Sequence, residues 1–293
     1  PGSNRYLVTD DGRPFFWLAD TAWQFFWWTT RSSARSYLQR RRQLGFTVFL
    51  STLLSFKTPL DDTPACGGHP FVDSRPDMPD LDSGYWQHVD YCIETAEQLG
   101  LYVGLLPTWG KYVNGPLRHD QDRPGDRPVF NEANAYSYGR FLGGRYGARA
   151  NIIWVFGGDR RPDFSGDRRA VYEAMVEGAV EGAACRGRRP NCHNPDEPAL
   201  RKLLKTYHPG GGMTSSTWFH SAPWLDFDMC QSGHAAKDLP GLWSFVSDDL
   251  ELTPAKPALN GEPNYEKHPV NWDKSNGWFD EYDARKAAYR EGF

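Results

Sequence analysis

Cysteine and methionine are scarce in this chain, with 5 Cys and 4 Met among 293 residues. Cys66, Cys92, Cys185, Cys192 and Cys230 are scattered without a C-x-x-C pair, which argues against a thiolate metal cage. Cys185 and Cys192 are near enough in sequence to pair in an oxidising compartment, the alternative being two unrelated thiols. No apolar run approaches the roughly 20 residues that span a bilayer, so no membrane partner is expected. Block charge is missing too. Lys and Arg number 33 against 37 Asp and Glu, a formal charge of -4, and this leaves nucleic acid nothing to hold. There is no N-x-S/T sequon, no initiating Met and no signal-peptide core, since the chain begins Pro1-Gly2-Ser3-Asn4. It therefore reads as a processed, trimmed or partial product. No metal and no cofactor is expected.

Aromatic rings, by contrast, are abundant: 12 Trp, 14 Tyr and 17 Phe make up 15% of the chain. About half belong in a core, and the surplus suits a cleft that uses flat apolar platforms with a polar edge, as saccharide sites do. Short apolar runs alternate with longer amphipathic stretches, the pattern of repeated βα units. The runs are Pro14 to Leu18, Thr47 to Leu53, Tyr102 to Leu106, Ile152 to Asp159, Leu203 to Tyr207, Leu225 to Cys230 and Pro257 to Glu262. Helices are predicted over Tyr37 to Leu44, Tyr85 to Leu99, Ala135 to Tyr146, Arg168 to Cys185 and Ala284 to Arg290. The fold class is α/β, a (β/α)8 TIM barrel over residues 1–293 as one domain. Only seven βα units are found before the chain stops at Phe293, so the barrel reads as truncated before its eighth strand.

Two runs end in a carboxylate, Asp159 and Glu262. Parallel barrels keep their chemistry at the carboxyl ends of their strands, and two carboxylates there suit glycosidic bond cleavage. A retaining enzyme needs an acid and a nucleophile about 5 to 5.5 Å apart, an inverting one about 6.5 to 9.5 Å. The bland reading of Asp159 is a helix cap, or a partner for Arg160 or Arg161. Glu266, four residues after Glu262, is a rival acid.

The chain resembles the apiosidase-like glycoside hydrolases. The resemblance rests on Arg5-Tyr6-Leu7, Asp11-Gly12-Arg13-Pro14-Phe15-Phe16-Trp17-Leu18-Ala19-Asp20-Thr21-Ala22-Trp23, Gly45-Phe46-Thr47-Val48 and Trp154-Val155-Phe156-Gly157-Gly158-Asp159. It continues through Thr206-Tyr207-His208-Pro209, Trp224-Leu225-Asp226-Phe227, Gln231-Ser232-Gly233-His234 and Asn260-Gly261-Glu262-Pro263. It implies a (β/α)8 barrel, a retaining mechanism with Asp159 as acid/base and Glu262 as nucleophile, and a plant or microbial polysaccharide substrate. Apiose in pectin side chains is the best-known target. Family members continue into an eighth strand and usually a β-sandwich, neither of which is expected in this chain. A polysaccharide substrate places the protein in a secreted or periplasmic setting.

Asp20 and Trp23 after the first strand, Trp109 after the third, Tyr207 and His208 after the fifth, and Gln231 and His234 after the sixth are candidate saccharide contacts. Asn260 and Trp218 join them. Asp20 has an equally good reading as a helix cap. Two other readings are a catalytically inactive barrel that binds polysaccharide through Trp23, Trp109 and Trp218, and an inverting hydrolase using the same carboxylates. His208, His220 and His234 lack the fixed spacing of a metal hydrolase.

Overall fold

A computed structural model describes residues 5–115, 127–186, 203–237 and 244–292. They group into two compact units, the first formed by Trp17–Gly158 with Pro162–Lys205, the second by Pro1–Phe16 with Asp159–Arg161 and Thr206–Phe293.

The first unit is built on parallel strands β1 (Ala19–Thr21), β2 (Val48–Thr52), β3 (Tyr102–Leu106) and β4 (Ile152–Gly157). Ala19 lies opposite Val48, Val48 opposite Tyr102, and Val103 opposite Ile152. Every residue of β2 and β4 is buried, which is why their sequences are continuous apolar runs rather than alternating ones. Helices α1 (Arg31–Gln43), α2 (Gly84–Gln98), α3 (Glu132–Tyr146) and α4 (Arg169–Ala184) follow the strands in turn. Reciprocal caps start two of them: Thr30 with Ser33 on α1, and Asn131 with Asn134 on α3. Each satisfies backbone donors that a helix start leaves bare.

Helices α3 and α4 approach closely because glycines recur at a four-residue spacing on the facing sides, Gly139 and Gly143 against Gly178 and Gly182. A Cβ on Gly143 would lie 1.9 Å from the Ala179 carbonyl oxygen, and one on Gly182 would lie 2.1 Å from that of Arg140. No rotamer relieves a clash with backbone. Tyr136 and Arg140 of α3 then hold Glu181 of α4, the arginine Nε at 3.2 Å.

In the second unit, Val8 pairs with Pro14 across a turn at Gly12, whose φ is +81°, and Phe15 N–H donates to the Leu7 carbonyl at 2.8 Å. The apolar run Pro14 to Leu18 is therefore not the first barrel-type strand; β1 begins at Ala19. The Asp11-Gly12 pair is a hairpin signal, and it competes successfully for this segment. Strand β5 (Lys205–His208) begins in the first unit and ends in the second. Strands β6 (Met213–Thr214) and β7 (Asp228–Gln231) are antiparallel, and β8 (Ala258–Asn260) runs parallel to β7. The short helices α5 (Ser216–Phe219) and α6 (Phe245–Leu250), with α7 (Glu281–Gly292), complete this unit.

Strand β6 has no counterpart among the predicted runs, because two residues carry no periodicity. Strands β4 and β8 stop two residues before Asp159 and Glu262, so both carboxylates sit on the turns beyond. Cys185 is disulfide-bonded, Cys66, Cys92 and Cys230 are in no disulfide, and Cys192 lies outside the described residues. Among the described residues no helix is long and apolar enough to cross a membrane.

Neighbouring glycines of α3 should respond differently to alanine. Gly143→Ala should lower thermal stability by about 1–3 kcal/mol through overpacking. Gly144→Ala, whose Cβ would meet only the Gly182 oxygen at 3.8 Å, should be neutral or add about 0.5–1 kcal/mol from helix propensity. Thermal melts of the two variants read the difference.

Candidate active site

After β4 the chain takes three successive left-handed residues, Gly157 (φ 93°), Gly158 (φ 115°) and Asp159 (φ 56°). Gly158 is sterically required, because a Cβ there would lie 3.0 Å from the Gly110 nitrogen and from the Trp109 Cα. Aspartate tolerates the left-handed region better than most residues with a side chain, so Gly-Gly-Asp suits this turn. The neighbouring Arg160 is buried, and its Nη1 contacts both the Asp159 carbonyl at 2.6 Å and Oδ2 at 3.2 Å.

The last two residues of β5 point to opposite sides, as strand geometry requires. Tyr207 packs on Phe219 and donates its hydroxyl to the Arg160 carbonyl at 2.9 Å. His208, fully buried, accepts the Asp159 backbone N–H on Nδ1 at 3.2 Å, while its Nε2 lies 3.2 Å from Glu262 Oε2. A ring nitrogen that accepts carries no proton, so His208 is the Nε2–H tautomer and turns that proton toward the carboxylate. The contact falls outside hydrogen-bond geometry, so the N–H acts on the carboxylate as a dipole.

Glu262 is buried, at 5% exposure. Its backbone is fixed first: Asn260 Oδ1 accepts the Glu262 N–H at 3.1 Å, Asn260 Nδ2 donates to Ser232 Oγ at 2.7 Å, and Gly233 N–H donates to the Glu262 carbonyl at 3.1 Å. The two carboxylate oxygens are treated differently. Oε1 accepts the Tyr265 hydroxyl and lies 3.3 Å from His234 Nε2, whereas Oε2 has no hydrogen-bond partner among the described residues. Burial pushes this carboxyl's pKa up, but the facing His208 and His234 rings outweigh burial and hold it below the usual carboxylate range. Glu262 is thus an ionised, buried carboxylate whose Oε1 is anchored by hydrogen bonds and whose Oε2 faces only the His208 ring among the described residues.

An aromatic wall extends from His234. Its ring lies 4.4 Å from Tyr265, 4.6 Å from His268 and 5.7 Å from Trp272, and His268 meets Trp272 edge-on at 4.3 Å. Asn271 N–H donates to the His234 carbonyl at 2.7 Å, and the left-handed Asn271 and Trp272 leave the Trp272 ring 64% exposed. Burial, then the charge of His234, lowers the His268 pKa. Gln231 Oε1, His234 Nδ1 and Asn264 Nδ2 are buried without hydrogen-bond partners among the described residues. Buried polar atoms are usually satisfied, so this unspent capacity beside an ionised carboxylate is what a polyhydroxyl ligand would use.

Asp159, Tyr207, His208, Gln231, His234, Asn260 and Glu262 therefore share one unit. Tyr207 and Asn260 are engaged with the backbone and Ser232, acting as supports. Trp218, half-exposed, is in α5 of the same unit. Asp20, Trp23 and Trp109 belong to the first unit. Asp20 is not a helix cap: its carboxylate meets Tyr37 and Arg41. Trp109 is buried at 5% exposure, stacked on Phe56 at 4.2 Å and edge-on to Trp23 at 5.2 Å, rather than presented as a platform. Glu266 is exposed beside Lys267, 3.7 Å away. The pairing of Asp159 with Arg160 is the alternative that the sequence offered for this aspartate, whereas Tyr265, His268, Trp272 and Asn264 were not legible from the sequence. All four sit on an irregular loop, where no periodicity marks a facing side.

The family model for the apiosidase-like catalytic domain matches residues 2–293. A glycoside hydrolase family 5 structure from Bacteroides vulgatus superposes with a TM-score of 0.80 at 29% identity, over 98% of this chain and 58% of that one. A second structure, described as a glycoside hydrolase, gives 0.77 at 31% identity, over 98% of this chain and 61% of that one. The chain thus spans about three fifths of the length of both. The catalytic domain of a Thermobifida fusca endoglucanase, solved with cellotetraose, shares the fold alone, with a TM-score of 0.58 at 12% identity, over 99% of this chain and 79% of that one. These matches identify an α/β fold of the TIM-barrel hydrolase kind. No protein of curated function matches the chain.

Tyr265→Phe removes one donor to the anchored oxygen, so the Glu262 carboxyl should titrate about one pH unit higher, the equivalent of one hydrogen bond to a charge. Carboxyl 13C NMR of glutamate-labelled protein would detect this. An unchanged midpoint would mean that the tyrosine does not stabilise the anion.

Proposed function

The chain belongs to the apiosidase-like glycoside hydrolase catalytic-domain family, and we propose that it cleaves its glycosidic bond with retention, Glu262 as nucleophile and Asp159 as acid/base. The observation that carries this reading is the asymmetry of Glu262. Its Oε1 is held by Tyr265 and His234 while Oε2 has no hydrogen-bond partner among the described residues, as a carboxylate that attacks carbon with one oxygen requires.

In this mechanism Glu262 Oε2 attacks the anomeric carbon as Asp159 delivers a proton to the leaving oxygen. The charge on Glu262 is consumed in the ester bond, and Asp159, now a carboxylate, takes a proton from water that attacks the same carbon from the leaving-group side. Two displacements restore the original anomeric configuration and both carboxyl groups. The His208 ring ties the Asp159 turn to Oε2, coupling the placement of the two reacting groups. Exposed Trp272, at the end of the aromatic wall, provides a stacking face for a sugar ring.

The substrate we propose is a plant or microbial polysaccharide, with apiose or a related sugar of pectin side chains as the finer assignment. This rests on the family description. A secreted or periplasmic setting follows from a substrate that cells meet outside.

Glu262→Gln should reduce kcat by about 10⁴-fold or more, as removal of a nucleophile does, while oligosaccharide binding measured by calorimetry stays near wild type. Asp159→Ala should slow natural linkages by about 10²–10⁴-fold, the usual contribution of a general acid, yet spare aryl glycosides whose leaving group needs no proton. Comparable losses on both substrate types would remove Asp159 from the acid role.

A further inference from the structure

The first unit carries a cavity made of residues that the proposed chemistry does not use. The turn Phe25–Trp28 buries three rings, Phe25, Phe26 and Trp27, and leaves Trp28 60% exposed. Trp27 fastens the surroundings. Its Nε1 donates to the Leu53 carbonyl at 2.9 Å, and its own carbonyl accepts Ala65 N–H at 2.8 Å, so the loop after β2 is laced to the turn that carries Trp28. Within that loop Asp62 N–H donates to the Pro59 carbonyl at 3.1 Å, and Thr58 N–H to Ser55 Oγ at 3.2 Å. Between turn and loop lies an open cavity of about 560 Å³ lined by Trp28, Thr58, Asp62, Thr63 and Pro64, among others.

The lining has unspent chemistry of one kind. The Trp28 indole N–H, the Asp62 carboxylate and the Thr63 hydroxyl make no hydrogen bond or ion pair among the described residues, although Asp62 is half-buried. An exposed indole face receives the C–H face of a sugar ring. A carboxylate accepts from two adjacent hydroxyls at once, and a threonine hydroxyl both donates and accepts. A few polar groups converging beside an aromatic surface in a preformed concavity make a small-molecule site. Asp62 is the charged residue of the lining, so a uronate would bring a second negative charge into the same cavity.

We propose that this cavity is a saccharide-binding site selective for neutral sugars bearing adjacent hydroxyls, with Trp28 as the stacking surface and Asp62 as the acceptor. The proposal depends on the family assignment only for the choice of probes.

Titration calorimetry of the full chain tests it, on Glu262→Gln protein so that no probe is consumed. The probes are short xylo-, manno-, cello- and arabino-oligosaccharides, with oligogalacturonate as the charged counterpart. At least one neutral series should bind, and adding Trp28→Ala should weaken it about tenfold or more, the weight of one aromatic stacking contact. Adding Asp62→Asn should weaken the neutral probe and narrow the gap to oligogalacturonate. Trp28 is exposed, so its replacement leaves the core intact, which a thermal melt verifies. The proposal is overturned if no neutral series binds, if Trp28→Ala leaves every affinity unchanged, or if oligogalacturonate binds as tightly as the neutral probes. Turnover of an aryl glycoside by the wild-type protein and its loss in Glu262→Gln are scored separately, so failure of the catalytic assignment and failure of this site give different results.

Discussion

The Glu262 carboxylate is buried and negatively charged, and the surrounding residues can be understood as consequences of keeping it so. An isolated buried carboxylate would take up a proton, because burial disfavours the charge. Here Tyr265 and His234 hold Oε1, and His208 turns its Nε2–H toward Oε2. This solution concentrates the hydrogen bonds on one oxygen. The other, Oε2, has only the His208 ring facing it among the described residues.

Those donors are held in turn. His208 keeps the needed tautomer because the Asp159 backbone N–H occupies Nδ1, and that N–H is available because Asp159 follows two left-handed glycines out of β4. His234 is positioned through its carbonyl by Asn271 and packed by Tyr265, His268 and Trp272. The Glu262 backbone is set by Asn260, itself hydrogen-bonded to Ser232. Disturbing any of these supports should act through the charge on Glu262 or the aim of its Oε2. A change at Gly157 or Gly158 would reach the carboxylate by way of the histidine.

Much of this was readable from the residues, for physical reasons. Fully buried parallel strands are continuous apolar runs, so β2, β3 and β4 are found within a residue or two. Two predicted runs end at Asp159 and Glu262, and His208 lies between the Asp159 backbone N–H and Glu262 Oε2. Asn260, His208 and His234 were legible because they end or directly follow strands. Where tertiary contacts decide, the sequence is silent. Trp109 looks like a rim residue by position and is buried because Phe56 and Trp23 cover it. Asp20 looks like a cap and is taken by Tyr37 and Arg41, which arrive from the following helix. Tyr265, His268 and Trp272 come from a loop without repeat, and only the folded chain shows that they share a wall with His234.

The most direct measurement is the site of covalent capture. Incubation with a 2-deoxy-2-fluoro glycoside carrying a good leaving group, followed by peptide mass spectrometry, should place one glycosyl unit on Glu262, because the fluorine slows release of the ester more than its formation. A label on Asp159 or Glu266 instead, or turnover of the reagent with inverted product and no label, would contradict the account.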